Sequence, residues 1–345
     1  MPFSFSKLLK ARPMLLVVMS FFVSCSKPMA AQTEFVIGTV CTVNLFDKGS
    51  PDAYREIFAR LREIEARMSA NRDDTEIAEI NRNAGVAPVG AHPDVIEVVA
   101  TALRYSEMSG GVFDPSIGPV VKLWNIGTDF ARVPTKKELD AALSLVNYQD
   151  VVVDKAAGTV FLKRKGMRLD LGAIAKGYAA DEVGRIIAKH RISRAIIDLG
   201  GNILAYGEKK GGESWRIGVQ DPSSERGAHI GVLAVKNKTM VTSGVYERFF
   251  VENGKHYHHI LDPKTGYPVS NGLLSVTIVA DRSIDADGLS TSVFALGLQK
   301  GRALIESLPG VAAIFIGEDF SVRVTSGIAK DFHVSDPRFH TVDWN

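Results

Sequence analysis

The 345-residue sequence predicts an α+β protein in which mixed and antiparallel sheets carry packed helices. In the first third, apolar residues recur at helical spacing, as in residues 52–68. From about residue 150, short β-rich runs such as "DVVVD" and "RAIIDLG" dominate. No linker, low-complexity block or fixed-period repeat separates the two parts. We therefore expect one domain over residues 34–330.

Local signals in the first third predict a strand followed by four helices. The alternating stretch "TEFVIGTVCTVNLF" predicts one strand interrupted at Gly38. Helices are expected over residues 52–68, around "DTEIAEINRNAG", over residues 92–108 and at "VPTKKELDAALSL". Gly85 ends the second of these, and Thr135 with Glu138 caps the fourth.

The remainder alternates strands with three further helices. The first is "GAIAKGYAADEVGRIIAKH", the second is opened by "DADGLST", and the third is "LQKGRALIESL". "ENGK" predicts a hairpin turn, and two strands follow the last helix. Residues 331–345 are expected to form a loosely attached tail.

The N-terminus carries a targeting signal. "KLLKAR" is a positive segment, and the apolar run "MLLVVMSFFV" is too short to span a bilayer. We interpret residues 1–24 as a lipoprotein signal peptide, Cys25 as the lipidated residue, and residues 25–33 as a tether. The alternative is a plain secretory signal with a chance cysteine. The first interpretation predicts a lipid-anchored protein of the bacterial cell envelope that faces the periplasm.

Charge and cysteine content argue against a nucleic-acid-binding protein and against an intrachain disulfide. The formal net charge is +2, and removal of Lys7, Lys10 and Arg12 with the signal peptide leaves about −1. No basic stripe with interleaved aromatics is present, so nucleic acid is not an expected partner. Cys41 lies in an apolar run and is expected to be buried and to lack a disulfide partner.

The stretch "IDADGLSTSVFALG" places two carboxylates at the start of an apolar helix. Asp285 and Asp287 are typical of helix capping. Asp287 and Thr291, however, are four residues apart and share one face, so a carboxylate and a hydroxyl could hold a hard cation there. Spacing alone leaves both interpretations open.

Three other segments carry candidate binding residues. "RLDLGAIAKGYAAD" contains Asp170, a Gly172 turn and Lys176 in the first turn of a helix, which suits an anionic ligand or only a strand-to-helix turn. The two glycines of "IIDLGGNILAYG" permit close backbone approach or a tight turn. In "HYHHILDPKTGYPV", strand alternation separates His259 from the other two histidines, so zinc is not expected and one histidine beside a ligand is favoured.

Seven ordered motifs together resemble the bacterial FAD:protein FMN transferases, the ApbE-like family. They are "IGT", "GGVFDPSIGPVVKLW", "RLDLGAIAKGYAAD", "DLGGNI", "TSGVYER", "HHILDPKTGYPV" and "DADGLSTSVFALG". The resemblance runs from about residue 34 to about residue 326. It implies the ApbE-like flavin transferase fold and the transfer of FMN from FAD to a Thr or Ser hydroxyl of a target flavoprotein. It also implies that AMP is released and that Mg²⁺ is required.

The resemblance assigns roles to individual residues. Asp287, Thr291 and the backbone carbonyl of Ala173 would be metal ligands, and Asp285 a cap or an outer group. Asp287 and His259 are both candidate bases for the incoming hydroxyl, and the sequence does not choose between them. The expected FAD contacts are Ile37, Val112, Phe113, Asp114, Asp170, Lys176 and Leu261. Phe113 as ordinary core and Asp114 as a turn residue are the structural alternatives.

One position departs from the family pattern. Asn71 stands where many members have an aromatic residue that is expected to cover the flavin. We therefore hypothesise weaker FAD retention and hydrolysis of FAD to FMN and AMP when no acceptor is present. Two alternative functions remain, a Mg²⁺-dependent FAD pyrophosphatase and a non-catalytic flavin-binding lipoprotein. The expected acceptor is a flavoprotein subunit of a membrane redox complex.

Overall fold

A computed structural model describes residues 29–344. The signal peptide, Cys25 and the first part of the tether lie outside the described residues. The helices are α1 Pro51–Met68, α2 Glu76–Arg82, α3 Pro93–Met108, α4 Gly118–Trp124, α5 Lys136–Leu143, α6 Ala175–Lys189 and α7 Ser283–Glu306. Within residues 29–344, no helix combines the length and hydropathy needed to cross a bilayer.

The strands are β1 Gln32–Val36, β2 Thr39–Leu45, β3 Val89–Gly90, β4 Val151–Asp154, β5 Thr159–Leu162, β6 Arg194–Leu199, β7 Asn202–Gly207, β8 Trp215–Gln220, β9 His229–Val235, β10 Lys238–Gly244, β11 Phe249–Glu252, β12 Lys255–His258, β13 Leu273–Ala280, β14 Ala312–Gly317, β15 Ser321–Val324, β16 Phe332–Val334 and β17 His340–Thr341. Nine of them form one sheet in the order β1-β2-β6-β7-β10-β13-β14-β15-β17. Strands β16-β9-β8 and β3-β5-β4 form two three-stranded sheets, and β11-β12 pair alone.

The large sheet is buried on both faces. Along β14, Ala313 and Phe315 face the main core with the helices, whereas Ile314 and Ile316 face a second core. That second core is completed by the β16-β9-β8 sheet, including Trp215. Because side chains alternate along each strand, one face of the large sheet packs against α6 and α7 and the other packs against a smaller sheet. The α+β prediction is confirmed.

Most of the expected helices and strands are present, although α2 ends at Arg82, before Gly85. Ser50 caps α1 by accepting the Ala53 N–H at 3.2 Å. The capping box of α5 is formed by Thr135 and Glu138, as predicted. The helix α4 was not predicted; it spans seven residues, has Pro119 in its first turn and ends at a left-handed Asn125.

The stretch "TEFVIGTVCTVNLF" is a hairpin, and the expectation of one interrupted strand is wrong. β1 and β2 pair antiparallel across a two-residue turn of Ile37 and Gly38. Both turn residues have positive φ, 50° and 70°. Positive φ at both turn residues matches the twist of paired strands. The sequence does not indicate this turn, because β-branched residues such as Ile37 rarely adopt a positive φ.

The last two predicted helices form one segment that bends at Gly297, where φ is 76°. The C-terminal tail is not loosely attached, contrary to expectation. β16 pairs with β9 and β17 with β15. Phe339 is 3% exposed, and the Trp344 indole donates to the Val324 carbonyl at 2.7 Å. The tail therefore closes the second core and one edge of the large sheet.

Candidate active site

The candidate site forms where the first turns of α6 and α7 meet. A Cβ atom on Gly177 would lie 2.3 Å from the Ser283 carbonyl and 2.7 Å from the Asp287 Cβ. Only glycine permits this approach. It lets the Gly177 N–H donate to Asp287 Oδ2 at 2.8 Å. Asp287 is therefore a cap, but of α6 rather than of its own helix.

The other carboxylate oxygen of Asp287 faces the positively charged side chain of Lys176. Its Oδ1 lies 3.8 Å from the Lys176 Nζ, and the same Nζ donates to the Gly172 carbonyl at 3.3 Å. Asp287 is 3% exposed. A buried carboxylate with one oxygen free of short hydrogen bonds is available to bind a cation.

Thr291 lies one helical turn beyond Asp287, as its spacing predicts. Its Oγ1 is 3.4 Å from the hydroxyl of Ser243, which donates to the Ser290 hydroxyl at 2.9 Å. Ser290 in turn donates to the Asp287 carbonyl at 2.9 Å. Hydrogen bonds through the Ser243 and Ser290 hydroxyls thus connect β10 to this face of α7.

Asp285 does not cap α7, contrary to one of the interpretations of its position. It accepts from the Tyr105 hydroxyl at 2.6 Å and from Arg104 at 2.7 Å. The cap comes from Asp181 on α6, whose two oxygens accept the N–H groups of Ser283 and Ile284. Burial raises the pKa of Asp181.

The loop before α6 brings Ala173 and Asp170 beside this helix start. Asp170 Oδ1 accepts from the Gly172 N–H at 2.8 Å, and the Asp170 N–H donates to the Pro115 carbonyl at 2.8 Å. The residue that precedes α6, Ile174, offers no capping side chain. The Ala175 N–H donates to the Leu171 carbonyl and the Gly177 N–H donates to Asp287, so Lys176 and the helix dipole supply the positive charge that suits an anion here.

The three donors assigned from the sequence, on Asp287, Thr291 and Ala173, are of a kind that suits a hard cation. A carboxylate, the Thr291 hydroxyl and the Ala173 carbonyl are all oxygens, which Mg²⁺ prefers. Among residues 29–344, no group of three or more His, Cys, Asp or Glu side chains is placed to hold a metal. Oxygen donors of this kind fit Mg²⁺, with water and phosphate oxygens as further ligands.

His259 is held at the base of the β11-β12 hairpin. Its backbone N–H donates to the Arg248 carbonyl at 3.1 Å, and its Nδ1 lies 3.3 Å from the same oxygen. Desolvation, with the charges of Arg248 and Lys176 and the neighbouring His258, lowers the pKa of His259 to about 3. The imidazole is therefore neutral near pH 7, and Nε2 can accept a proton when Nδ1 carries the hydrogen.

The other two histidines have structural roles. His258 is buried, its Nε2 lies 2.9 Å from the Val269 carbonyl, and its Nδ1 accepts the Ile260 N–H at 3.3 Å. His256 packs on Phe249, with ring centroids 4.2 Å apart. Both share one face of β12, as alternation predicts.

The Ile37 turn meets the "DLGGNI" glycines and Arg248. A Cβ on Gly200 would lie 2.1 Å from the Thr39 hydroxyl, so this glycine serves close backbone approach. The Arg248 guanidinium donates to the Gly38 carbonyl at 3.2 Å. Ile37 itself keeps a strained φ of 50°, which is typical of residues at a binding site.

Several expected FAD contacts are engaged inside the protein. Asp114 accepts from the Ser116 N–H and hydroxyl and from the Tyr148 N–H, and burial raises its pKa. Phe113 is 4% exposed in the main core. This geometry matches the structural alternatives for both residues.

The remaining expected contacts differ in exposure. Leu261 is buried with Trp124, Val112 is partly exposed and Asn71 is exposed. Cys41 is buried and free, and burial raises the pKa of its thiol to about 12. As predicted, it is a small core residue.

Sequence reasoning missed Ser243, Arg248 and Asp181. Ser243 and Arg248 belong to the quoted motif "TSGVYER", so the motif was a signal although neither residue was singled out. Asp181 closes "RLDLGAIAKGYAAD" and caps a helix 102 positions away. No local pattern indicates such a contact.

The depressed pKa of His259 leads to a stability prediction. An unfolded histidine gains a proton below about pH 6.5, whereas folded His259 resists protonation down to about pH 3. Its contribution is therefore complete above pH 6.5 and is lost as the pH falls toward 3. Between pH 7 and pH 5, the free energy of unfolding should fall by about 1–2 kcal/mol less in His259→Gln than in the wild-type protein. Urea titrations at the two pH values measure this difference. Equal losses in both proteins would contradict this.

A lysine at a helix start, a free carboxylate oxygen and hydroxyl donors are groups that suit a phosphate-bearing ligand. Residues 37–315 match the model of the ApbE family, and the chain belongs to that family. The FAD:protein FMN transferase of Treponema pallidum is 42% identical over 326 residues, which cover 90% of each sequence. That of Klebsiella pneumoniae is 36% identical over 308 residues, covering 89% of this chain and 95% of the relative.

Solved structures agree with this membership. The ApbE protein of Thermotoga maritima superposes with a TM-score of 0.79 at 30% identity, covering 86% of this chain and 97% of its own. The flavin transferase ApbE of Vibrio cholerae gives 0.75 at 26% identity, covering 90% and 97%. The predicted ApbE-like flavin transferase fold is confirmed.

Proposed function

We propose that this chain transfers FMN from FAD to a Thr or Ser hydroxyl of a target flavoprotein, with Mg²⁺ bound and AMP released. The observation that carries the proposal is the meeting of Asp287, Lys176 and the N-terminus of α6 at one buried point. Family membership supports the same activity.

The charges on the chain match the charge of the substrate. A pyrophosphate diester carries two negative charges that repel an incoming nucleophile. Lys176 and the positive end of the α6 dipole would neutralise part of that charge and of the charge that develops on the AMP leaving group. Mg²⁺ held by Asp287, Thr291 and the Ala173 carbonyl would supply further Lewis-acid stabilisation.

The incoming hydroxyl must lose its proton as the new bond forms. The acceptor oxygen bonds to the FMN phosphorus, the bond to the AMP oxygen breaks, and the proton passes to the base. His259 can take this role because its imidazole is neutral near pH 7, and its depressed pKa means that it holds the proton only while the new bond forms and releases it readily afterwards. Asp287 already accepts the Gly177 N–H and faces Lys176. We therefore assign the base to His259.

The transfer is tested by mass spectrometry. A recombinant membrane redox subunit, prepared without flavin, is incubated with this protein, FAD and Mg²⁺. A gain of one FMN on a Thr or Ser supports the transferase. Metal-dependent AMP without FMN on the subunit would indicate a pyrophosphatase, and neither product would leave flavin binding alone.

The cellular setting is part of the proposal. The apolar N-terminal run ends at Cys25, which supports a lipid-anchored protein of the bacterial envelope whose site faces the periplasm. A membrane redox subunit is then a suitable acceptor. We expect Cys25→Ser to move the protein from the membrane to the soluble fraction. Unchanged membrane association would contradict the lipid anchor.

Asn71 favours FAD hydrolysis as a second activity. The residue is exposed between α1 and α2, and its side chain offers no aromatic face to stack on a flavin. We expect Asn71→Tyr to retain FAD more tightly, by about 0.5–1.5 kcal/mol, and to release less AMP without acceptor. Dialysis and AMP quantification measure the two effects. If neither changed, the hypothesis would be abandoned.

A further inference from the structure

Ser243 is the residue of β10 whose side chain reaches the start of α7. Along this strand Val241 faces the main core with the helices, whereas Met240 faces the second core. Alternation therefore places Ser243 on the same face as Val241. Its hydroxyl lies 2.9 Å from that of Ser290 and 3.4 Å from that of Thr291. Ser243 thus contacts two neighbouring residues of α7, and one of them is an assigned metal ligand.

A carbonyl at one end of these contacts fixes the direction of every hydrogen bond in the series. The Ser290 hydroxyl contacts the Asp287 carbonyl at 2.9 Å, and because a carbonyl can only accept, Ser290 donates its single proton there. The Ser290 oxygen can then only accept from Ser243, which uses the proton of Ser243. In the contact between Ser243 and Thr291, the donor is therefore Thr291. We call this series, from Thr291 through Ser243 and Ser290 to the Asp287 carbonyl, the hydroxyl chain.

The direction of the hydroxyl chain matters to a cation that binds Thr291. A metal ion binds a hydroxyl through an oxygen lone pair, so the hydroxyl proton must be donated elsewhere. Ser243 accepts that proton and has none left to donate to the Thr291 oxygen. Ser290 is 1% exposed, so water does not compete for its hydrogen bonds, whereas Thr291 is partly exposed. The chain is therefore fixed at its buried end and accessible at the end that carries the ligand.

We propose that Ser243 is a positioning residue for the metal site. Together with Ser290, it keeps Thr291 as a hydrogen-bond donor and so leaves the lone pairs of the Thr291 oxygen available to Mg²⁺. The inference rests on the proposed Mg²⁺-dependent function. Loss of a partner that holds a ligating side chain typically weakens metal affinity by about 10–100-fold. Because the contact from Ser243 to Thr291 is long, at 3.4 Å, we expect the lower end of that range.

Binding of Mn²⁺, an EPR-visible substitute for Mg²⁺ that also prefers oxygen ligands, measures the site without any reaction. The full protein is titrated with Mn²⁺ in the absence of FAD, and the signal of free Mn²⁺ gives the Kd. Binding that is lost in Asp287→Ala identifies the site. We expect Ser243→Ala to raise the Kd by about tenfold. In FMN transfer, the Mg²⁺ concentration that gives half the maximal rate should rise by the same factor, while kcat at saturating Mg²⁺ stays within about threefold.

Thr242→Val is the matched control for the loss of a hydroxyl from β10. It removes the contact at 2.8 Å between the Thr242 and Thr277 hydroxyls, which does not involve α7. The Kd for Mn²⁺ should therefore be unchanged, whatever the change in melting temperature. If Thr242→Val raised the Kd as much as Ser243→Ala, the effect would be a general loss of stability, and the inference would be overturned.

Ser290→Ala tests the direction of the hydrogen bonds and leaves both Ser243 and Thr291 in place. Ser243 loses its acceptor and can then donate to the Thr291 oxygen, which would compete with the cation. We expect the Kd for Mn²⁺ to rise by at least about threefold. A wild-type Kd in either Ser243→Ala or Ser290→Ala would overturn the inference while the metal site itself stood. A wild-type protein that bound no Mn²⁺ would instead refute the proposed metal-dependent function, and the inference with it.

Discussion

Asp287→Asn is expected to lower kcat/KM for FMN transfer by about 10³-fold, equivalent to about 4 kcal/mol. The asparagine oxygen can still accept the Gly177 N–H, so α6 and α7 should keep their contact. What is lost is the negative charge beside Lys176 and the anionic oxygen that suits Mg²⁺. Steady-state transfer with mass-spectrometric quantification measures the effect, and the melting temperature reports the fold.

Two variants separate charge from structure. Asp287→Ala also leaves the Gly177 N–H without its acceptor, so we expect about 1–3 kcal/mol less stability than Asp287→Asn. Asp285→Asn changes a carboxylate two residues away that contacts Arg104 and Tyr105. It should leave transfer within about threefold of wild type. If Asp287→Asn and Asp285→Asn lowered kcat/KM equally, the reaction would depend on negative charge anywhere at the start of α7 and not on Asp287 in particular.

The sequence predicted those parts of the site that lie within one element. Helical spacing placed Asp287 and Thr291 on one face, and the end of the "AIAKG" loop placed Lys176 at a helix start. The partners from distant elements could not be predicted this way. Ser243 reaches Thr291 from β10, and Gly177 reaches Asp287 from α6. Such contacts depend on how helices cross a sheet, which local periodicity does not encode.

The same limit explains the errors in the fold. The Ile37 turn was missed because a β-branched residue occupies a position that normally favours Asn or Gly. The tail was missed because its strands are two and three residues long and gain their stability from β15 and β9. For Asp285, the sequence left a cap and an outer group as alternatives, and the cap is ruled out because Asp181 accepts the N–H groups there. In each case a tertiary contact outweighed a local preference.

Gly177→Ala is expected to destabilise the fold more than any other single methyl group added at the site. The new Cβ would meet the Ser283 carbonyl, the Ile284 Cα and the Asp287 Cβ at 2.3–2.7 Å. Two of these are backbone atoms, which cannot rotate away. The helices must therefore separate, and we expect unfolding to require about 3 kcal/mol less free energy. Separation also breaks the bond from Gly177 to Asp287, so FMN transfer should fall with stability.

Gly184→Ala on the same helix is the matched control. Its Cβ would meet the Leu204 Cδ2 at 3.4 Å, an ordinary contact. Because alanine is the better helix former, this variant should gain up to about 1 kcal/mol in denaturant titrations and keep its activity. The contrast tests whether the close crossing of α6 and α7 is what positions Asp287. A Gly177→Ala protein that melted normally and still transferred FMN would show that the crossing tolerates expansion, and Asp287 would then owe its position to the hydroxyl chain from Ser243.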